Sequence, residues 1–298
     1  GGRLSLSATL KGYSGAAAGS LTISAPAIQI GGSTDNPGVT LLKEDFFNQG
    51  GFGTFSLNGA GLASDTPGEY VTGVYIAPGA KVRPVVSGWV ADTTGRKLEL
   101  REITREEGIR TAGSLSFSAA GGIDPVSNAI QGRGDVILAE GASIRTDARG
   151  SVSFSGETVT LLGSVVTPGG TINAGGAVRF PSTDLNLLLP TTLIGKSAHL
   201  SAAGTRLLTE SPFGLRQGQV LAGGSINITG NIVAERGAVL DVSGASGILD
   251  LPPSASSLDP ATLNTLSGRS HVPVEIHSNG GRINPSGSRM VHSHATLI

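Results

Sequence analysis

The chain has no cysteine, few charged residues and no long apolar run, and each shortage excludes a class of protein. Without cysteine there is no disulfide scaffold, thiolate zinc site, CxxCH haem attachment or thiol nucleophile. Lysine and arginine (21) nearly balance aspartate and glutamate (22), so the net charge of −1 gives no field that would gather nucleic acid or an anionic membrane surface. No apolar run approaches the ~18 residues of a transmembrane helix. We therefore expect neither nucleic-acid binding nor a membrane span.

The composition still favours a folded chain. Charged residues are only 14% of the 298 residues, yet the mean hydropathy is slightly positive, which argues against intrinsic disorder. The chain is instead rich in glycine (46 residues) and also holds 15 prolines. A length of 298 residues fits one large domain or two ordinary ones.

A degenerate repeat runs through the chain: glycine, a small or polar residue, an apolar residue, Ser/Thr/Asn, and a second apolar residue. Its copies are GRLSL from Gly2, GSLTI from Gly19, GTFSL from Gly53, GSLSF from Gly113, GSVSF from Gly150 and GSINI from Gly224, with weaker copies GTIN from Gly170 and GRIN from Gly281. Successive starts lie 17, 34, 60, 37, 20, 54 and 57 residues apart. We interpret these spacings as whole multiples of a unit of about 17–20 residues.

Within a unit, glycines separate short segments in which apolar and polar residues alternate, such as Val152/Phe154 and Ile226/Ile228. A period of two is that of a β-strand, and glycine suits the turns between strands. We therefore predict an all-β fold, a parallel β-helix (β-solenoid) with three short strands per coil of about 19 residues. It forms one domain over residues 1–298.

Four insertions are expected to interrupt the coils, near residues 34–52, 84–110, 181–220 and 248–275. In the first, residues 39–50 are predicted to form a short helix with Thr40 as its N-cap and Gly50 as its stop.

The other three insertions have different signals. Residues 84–110 carry most of the clustered charge and are predicted to protrude as a hairpin that turns at 92–95, alone or leading into a helix. Residues 181–220 are less regular, with TLIG and AHLSAAG as possible strands. In the last, Asp259 and Pro260 are predicted to begin a helix.

A carbohydrate-cleaving enzyme would need acidic residues in pairs or clusters. Carbohydrate-cleaving enzymes, which parallel β-helices often host, require two facing carboxylates, or a cation-bound carboxylate cluster with a basic residue. The repeats supply acids singly, as at Asp135, Asp147, Glu157 and Asp241, and aromatic residues for sugar stacking are only 4% of the chain. We therefore expect no catalysis and no cofactor, and keep a polysaccharide-active enzyme as an alternative.

One tripeptide of the chain matches a known cell-attachment sequence. Arg133, Gly134 and Asp135 form the tripeptide that integrins recognise, which makes them a speculative cell-attachment site. Structure alone also explains the tripeptide, since Gly134 suits a corner and Asp135 the start of a strand.

Four of the five histidines lie in the last 28 residues: His271, His277, His292 and His294. On a strand His292 and His294 would point the same way, as two metal ligands could, but the spacing fixes no third ligand, and we interpret them as exposed strand residues.

Three runs carry a family resemblance: GGSINITGNIVAERGAVLDVSGASG at 223–247, DFFNQGGFGTFSLNG at 45–59 and SNGGRINPSG at 278–287. They resemble filamentous haemagglutinin-type exoproteins, the long passengers of bacterial two-partner secretion. The resemblance implies an extended right-handed parallel β-helix that is exported through an outer-membrane transporter and secreted by, or displayed on, a Gram-negative cell.

The resemblance does not extend to the family's secretion domain. That domain carries NPNG-like motifs, whereas Asn36-Pro37 and Asn284-Pro285 continue here as Gly and Ser. The chain also begins Gly-Gly-Arg, without a methionine or a leader segment. We therefore expect an internal shaft segment of a longer protein.

The resemblance and the absence of paired acidic residues in the repeats together predict a function. We expect a non-catalytic extracellular structural or adhesive segment that serves adhesion, biofilm formation or display. Its partners would be the transporter during export and then a host, matrix or neighbouring-cell surface. A self-assembling filament subunit, whose copies meet end to end through free strand edges, is the main alternative.

Overall fold

The computed structural model describes residues 4, 8–63, 70–92, 97–123, 130–176, 191–253 and 270–298. Over these residues the protein is all-β, with 29 strands and one 3-10 helix. A 13-stranded parallel sheet bends around the molecule, and with a six-stranded parallel sheet it nearly closes into a solenoid. Within the described ranges, no helix has the length and apolarity that a membrane span needs.

One half of the large sheet, which we call ladder A, contains the glycine repeats from Gly19 onward. Its strands pair in the order β1 (Gly19–Ala25), β4 (Phe52–Gly59), β11 (Ser114–Ala119), β16 (Ser151–Gly156), β19 (Thr171–Gly176), the first half of β24 (Ser225–Ala234) and the first half of β28 (Arg282–Ser293).

The pairing register corrects the interpretation of the repeat spacings. From Gly19 onward, each copy pairs directly with the next one, as Leu115 does with Val152 and Val152 with Ile172. The copy from Gly2 lies, apart from Leu4, outside the described residues. The interpretation of spacings as whole multiples of a unit is therefore wrong. The 20-residue step from β16 to β19 is a plain circuit, and the longer steps contain inserted hairpins or other added segments.

The remaining parallel strands form two further ladders. Ladder B, the other half of the large sheet, comprises β3 (Val39–Leu42), β2 (Ala27–Ile30), β7 (Val74–Ile76), β14 (Asp135–Leu138), β17 (Thr158–Leu161), β20 (Thr191–Ile194) and the second halves of β24 and β28. Ladder C, the six-stranded sheet, comprises β8 (Lys81–Val82), β15 (Ser143–Arg145), β18 (Ser164–Val166), β21 (His199–Ser201), β25 (Val239–Asp241) and β29 (Thr296–Leu297).

The core lies inside the three ladders. Val152, Ile172 and Ile226 are fully buried, and the residues that alternate with them point outward. Because the register is kept from strand to strand, equivalent side chains stack in columns; the rings of Phe117 and Phe154, for example, are stacked with centroids 5.4 Å apart. Each such aliphatic or aromatic side chain contributes about 1.5–3 kcal/mol by burial.

A repeated turn joins ladder B to ladder C. In four circuits the backbone N–H of a buried alanine donates to the carbonyl three residues earlier: Ala80 to Ala77, Ala142 to Ala139, Ala198 to Gly195 and Ala238 to Glu235. Gly79 and Gly141 both have a φ of +76° in this turn, a conformation that favours glycine. The turn therefore holds an alanine column at one corner of the core.

Antiparallel hairpins extend from the other two edges. Between ladders A and B lie β5 (Leu62–Ala63) with β6 (Tyr70–Val71) and β12 (Gly122–Ile123) with β13 (Ile130–Gly132). Between ladders C and A lie β9 (Gly88–Asp92) with β10 (Glu99–Ile103), β22 (Thr205–Glu210) with β23 (Arg216–Leu221), and β26 (Ser246–Leu251) with β27 (Val272–His277).

The helix predicted over residues 39–50 is wrong. Residues Val39–Leu42 form β3, which pairs with β2, and only Glu44–Asn48 form a 3-10 helix. Lys43 rather than Thr40 precedes that helix, and it makes no side-chain capping bond. The tertiary pairing with β2 outweighs the local capping signals at this point.

The other insertions follow the sequence in part. The hairpin predicted within 84–110 is confirmed as β9–β10, although its turn lies outside the described residues, and residues 104–110 form turns instead of a helix. TLIG overlaps β20 and AHLSAAG contains β21, so that part of 181–220 belongs to the ladders. The helix predicted at Asp259 and Pro260 lies outside the described residues.

Candidate binding surfaces

Three hairpins, β9–β10, β22–β23 and β26–β27, protrude from the same edge of the solenoid and form what we call the hairpin ridge. Much of the exposed apolar surface lies on it. The large apolar side chains of the ridge, with their exposed fractions, are Leu98 (70%), Leu100 (66%), Leu208 (41%), Phe213 (88%) and Ile248 (45%). The ridge is therefore a candidate contact surface.

An ion pair joins the second and third hairpins of the ridge. The Arg216 guanidinium donates to both carboxylate oxygens of Asp250, with Nη2–Oδ1 at 2.7 Å and Nε–Oδ2 at 3.1 Å, and the Arg216 backbone N–H donates to Oδ2 at 2.7 Å. These bonds lower the pKa of Asp250 to about 2. Gly247 lies where a Cβ would come within 3.2 Å of Val220, so the two hairpins pack closely.

Residues 104–110 tie the first hairpin to the solenoid and to the second hairpin. The Arg110 guanidinium donates to both carboxylate oxygens of Asp147, at 2.5 and 2.6 Å, and the Asp147 side chain is only 1% exposed. The carboxylate raises the pKa of Arg110. Gly108 lies against Leu207 of β22, since a Cβ there would be 3.2 Å from that side chain. The ridge is thus anchored at several points.

The turn of β22–β23 holds Phe213 at its tip. The Ser211 hydroxyl accepts the backbone N–H groups of Phe213 and Leu215, at 3.2 and 3.1 Å. The Gly214 N–H donates to the Ser211 carbonyl, and the Ser211 N–H donates to the Leu215 carbonyl, both at 2.9 Å. A φ of +71° at Gly214 completes the turn. An almost fully exposed aromatic ring is therefore presented on ordered backbone.

The sequence analysis did not single out Phe213. Its signal was available, because Ser211, Pro212 and Gly214 are residues typical of turns. The irregularity of residues 181–220 concealed this hairpin.

The outer face of ladder A is polar and almost uncharged. The Asn227 side-chain amide donates to Asn173 at 2.8 Å, and that of Asn284 donates to Asn227 at 2.7 Å, which forms a ladder of amides across three strands. Among the described outward positions of this ladder, all residues are Ser, Thr, Asn or Gly except Arg282.

The Arg133-Gly134-Asp135 tripeptide lies where a hairpin returns to ladder B. Arg133 Nη2 is 3.3 Å from Asp135 Oδ1, so the two charged side chains meet each other. The Gly134 N–H donates to the Glu157 carboxylate at 3.1 Å, and Asp135 pairs with Thr158 in the sheet. Burial raises the pKa of Asp135 against the opposing effect of Arg133. Cell attachment through this tripeptide stays a prediction.

The structure brings two of the four C-terminal histidines together. The rings of His292 and His294 are edge to face, with centroids 4.6 Å apart. His277 Nε2 lies 3.8 Å from Glu275 Oε1. In the part of the chain that the structure describes, no group of three or more His, Asp or Glu side chains could hold a metal ion.

No protein-family model, curated protein or solved structure matches the chain. The resemblance to filamentous haemagglutinin-type exoproteins therefore stays a prediction, and its functional consequences are argued below from geometry.

Proposed function

We propose that the chain is a non-catalytic segment of a large extracellular surface protein, in which a rigid β-solenoid displays adhesive hairpins. The observation that supports this most directly is the gathering of exposed apolar side chains on the hairpin ridge, led by Phe213 and Leu98. Soluble proteins rarely leave such side chains in one region without a contact role. The solenoid strands β11, β16 and β19, by contrast, bury their large apolar residues.

The proposal includes a finer description of the fold. Each coil has three strands, one in each ladder, and winds right-handed, as the resemblance to filamentous haemagglutinin-type exoproteins implies. The order β16, β17 and β18, followed by the pairing of β19 with β16, supports the three-strand coil. The parallel crossovers favour a right-handed path.

The proposal also includes the setting of the protein. The chain passes through an outer-membrane transporter of the two-partner type and is secreted by, or held at the surface of, a Gram-negative cell. There the ridge contacts a host, matrix or neighbouring-cell surface and serves adhesion, biofilm formation or display.

Removing ridge hairpins tests the adhesive role. Residues 146–150, between β15 and β16, cross the same edge without a hairpin. Their sequence can therefore be put in place of β9–β10 or β22–β23. We expect each replacement to reduce binding to immobilised matrix or whole cells while the thermal melting of the solenoid is kept. The matched control shortens β5–β6 on another edge, which should leave binding intact. Full binding after loss of all three ridge hairpins would contradict the proposal.

A second candidate is the end-to-end filament subunit. Val291 and Leu297 pair with the buried Ile232 and Leu240, yet they are 54% and 62% exposed. Among the described residues, no strand covers this side of β28 and β29, which leaves a place for a strand of a second copy to pair. Light scattering tests this: Val291→Lys with Leu297→Lys should abolish assembly if the ends meet.

A further inference from the structure

His292 and His294 are held side by side where ladder B ends. His292 pairs with Val233 of β24, and Ser293 pairs with the buried Ala234. The His294 backbone N–H donates to the Ala234 carbonyl at 2.9 Å. Because side chains alternate along a strand, both imidazoles lie on the outer face, and both residues are exposed.

The backbone is also held on the far side of this pair. Ala295 packs against the core, and Thr296 pairs with Val239 of ladder C. The two imidazoles are therefore carried by backbone that is ordered before and after them. A ligand that binds both rings then costs little conformational entropy beyond that of the side chains.

The separation of the two rings suits one metal ion between them. Their centroids are 4.6 Å apart. A metal–imidazole bond is about 2 Å long, which puts the ion roughly 3.1 Å from each ring centre. Two rings at a right angle about such an ion have centres about 4.4 Å apart, and two rings at the tetrahedral angle have centres about 5.1 Å apart. The observed separation is nearer to the right angle of a square-planar ion.

The chemistry of the pair selects copper among the divalent ions that imidazole binds. Cu²⁺ binds nitrogen ligands most tightly in the first-row series, and it prefers a square-planar or tetragonal arrangement. Structural zinc sites use four protein ligands in a tetrahedron, and no third His, Asp or Glu of the described chain joins this pair. Cu²⁺ needs no third protein ligand when water fills its other positions.

The charges around the pair leave both imidazoles available. Among the residues that the structure describes, the histidine that pairs with a carboxylate is His277, whose partner is Glu275. Glu235 follows Ala234 on the neighbouring strand, and Arg289 precedes His292 by three residues. One nearby acid and one nearby base balance each other, so the local charge does not exclude a cation.

We propose that His292 and His294 form a copper(II) site, in which the two imidazoles occupy adjacent positions of a square-planar ion. The ion links the end of β28 to the first residue after it and so braces the corner between ladders B and C. This site goes beyond the adhesive function and does not depend on it.

Titration of the full chain with CuCl₂ in a non-coordinating buffer tests the site. We expect the electron paramagnetic resonance spectrum of the bound Cu²⁺ to show coupling to two imidazole nitrogens. His292→Ala and His294→Ala should each leave one nitrogen and weaken binding by about tenfold or more, because the second imidazole no longer acts within the same molecule. His199→Ala, at an exposed histidine of ladder C, is the matched control and should bind like the unaltered chain.

The double variant His292→Ala with His294→Ala measures copper bound elsewhere on the chain. Equal affinity of this variant and the unaltered chain would overturn the proposal, as would a spectrum with only one nitrogen ligand. Zn²⁺ should bind at least about tenfold more weakly than Cu²⁺, and equally tight binding of the two ions would overturn the choice of copper. If Cu²⁺ binds only as the chain dimerises in sedimentation velocity, the imidazoles come from two copies and the site within one chain is wrong.

Discussion

The solenoid body and the hairpin ridge differ in how they are held together. In the body, each strand pairs in parallel with strands from other circuits, and side chains such as Val152 and Ile172 are completely buried. In the ridge, antiparallel hairpins pair within themselves and leave Leu100 and Phe213 in solvent. The body therefore gains stability collectively, whereas a hairpin can change without disturbing the columns beneath it.

This difference indicates where function can reside. A change in the body affects the circuits above and below it, so the body tolerates few substitutions. The contact of Arg110 with Asp147 joins the segment after the first hairpin to the body, whereas the contact of Arg216 with Asp250 joins the second and third hairpins to each other. We expect the largest changes in stability to arise in the body and at its junction with the ridge, and four substitutions test that expectation.

The largest effect should come from a charge in the body. Ile226→Asp would bury an unpaired carboxylate between Ile172 and Ile283, which flank it in the ladder. We expect a loss of at least about 4 kcal/mol of unfolding free energy, or failure to fold. Thr229→Asp, on the same strand but exposed, should change stability by less than about 1 kcal/mol. Denaturant unfolding measures both, and equal stability of the two variants would contradict the register.

The next effect is at the junction between body and ridge. Asp147→Ala leaves Arg110, whose side chain is 11% exposed, without its carboxylate partner. Removing one member of a fully buried pair costs about 3–5 kcal/mol, and because this pair is partly buried we expect a loss near the lower end of that range. Arg101→Ala is the control, since Arg101 is 71% exposed in its pair with Asp92, and exposed pairs contribute about 0–1 kcal/mol. If both variants melt alike, residues 104–110 are not an anchor.

The sequence-based predictions of the fold were correct where local sequence determines the structure. The glycine repeats and the alternation at Val152/Phe154 correctly predicted the strands of ladder A, because every circuit places the same residue types at equivalent points. The spacings were misinterpreted because inserted segments such as the β22–β23 hairpin lengthen a single circuit, and the distance between two copies does not show what lies between them. Alternation alone does not distinguish a parallel partner in another circuit from an antiparallel partner nearby.

The candidate surface was predicted less completely than the fold. The clustered charge of 84–110 correctly indicated a protruding hairpin, but its anchor, Asp147, lies 37 residues from Arg110, and no local pattern connects them. The helix over 39–50 failed for the same reason, since the partner of β3 is a strand of the solenoid. Contacts between distant segments are what the sequence pattern leaves out.

A smaller effect is expected within the ridge at low pH. Because the folded-state pKa of Asp250 is lowered to about 2, its contribution to stability is complete above its unfolded pKa of about 3.9 and is lost as the pH falls toward 2. We expect the contact between β22–β23 and β26–β27 to loosen over that range while the ladders stay paired. Amide hydrogen exchange from pH 5 to 2 measures this. In Asp250→Asn, the exchange rates of the two hairpins should no longer depend on this titration. If the exchange of these hairpins in the unaltered chain is the same at pH 5 and pH 2, the ion pair does not couple them.

The smallest effect tests a charged group in the body itself, at Asp135. Burial raises the pKa of this carboxyl more than Arg133 lowers it, so its protonated form is favoured in the folded state. The contribution of this group to stability is complete below its unfolded pKa and falls as the pH rises through the folded pKa. The ionised carboxylate therefore destabilises the folded state at pH 7.

Asp135→Asn should therefore be as stable as the unaltered chain at pH 7, or more stable by up to about 1 kcal/mol, and the difference should vanish near pH 3. Glu140→Gln, at an exposed position of the same circuit, serves as the control for the loss of one carboxylate. A less stable Asn variant at pH 7 would mean that the pairing with Arg133 outweighs burial, and that the body tolerates a charge where its neighbour supplies the counter-ion.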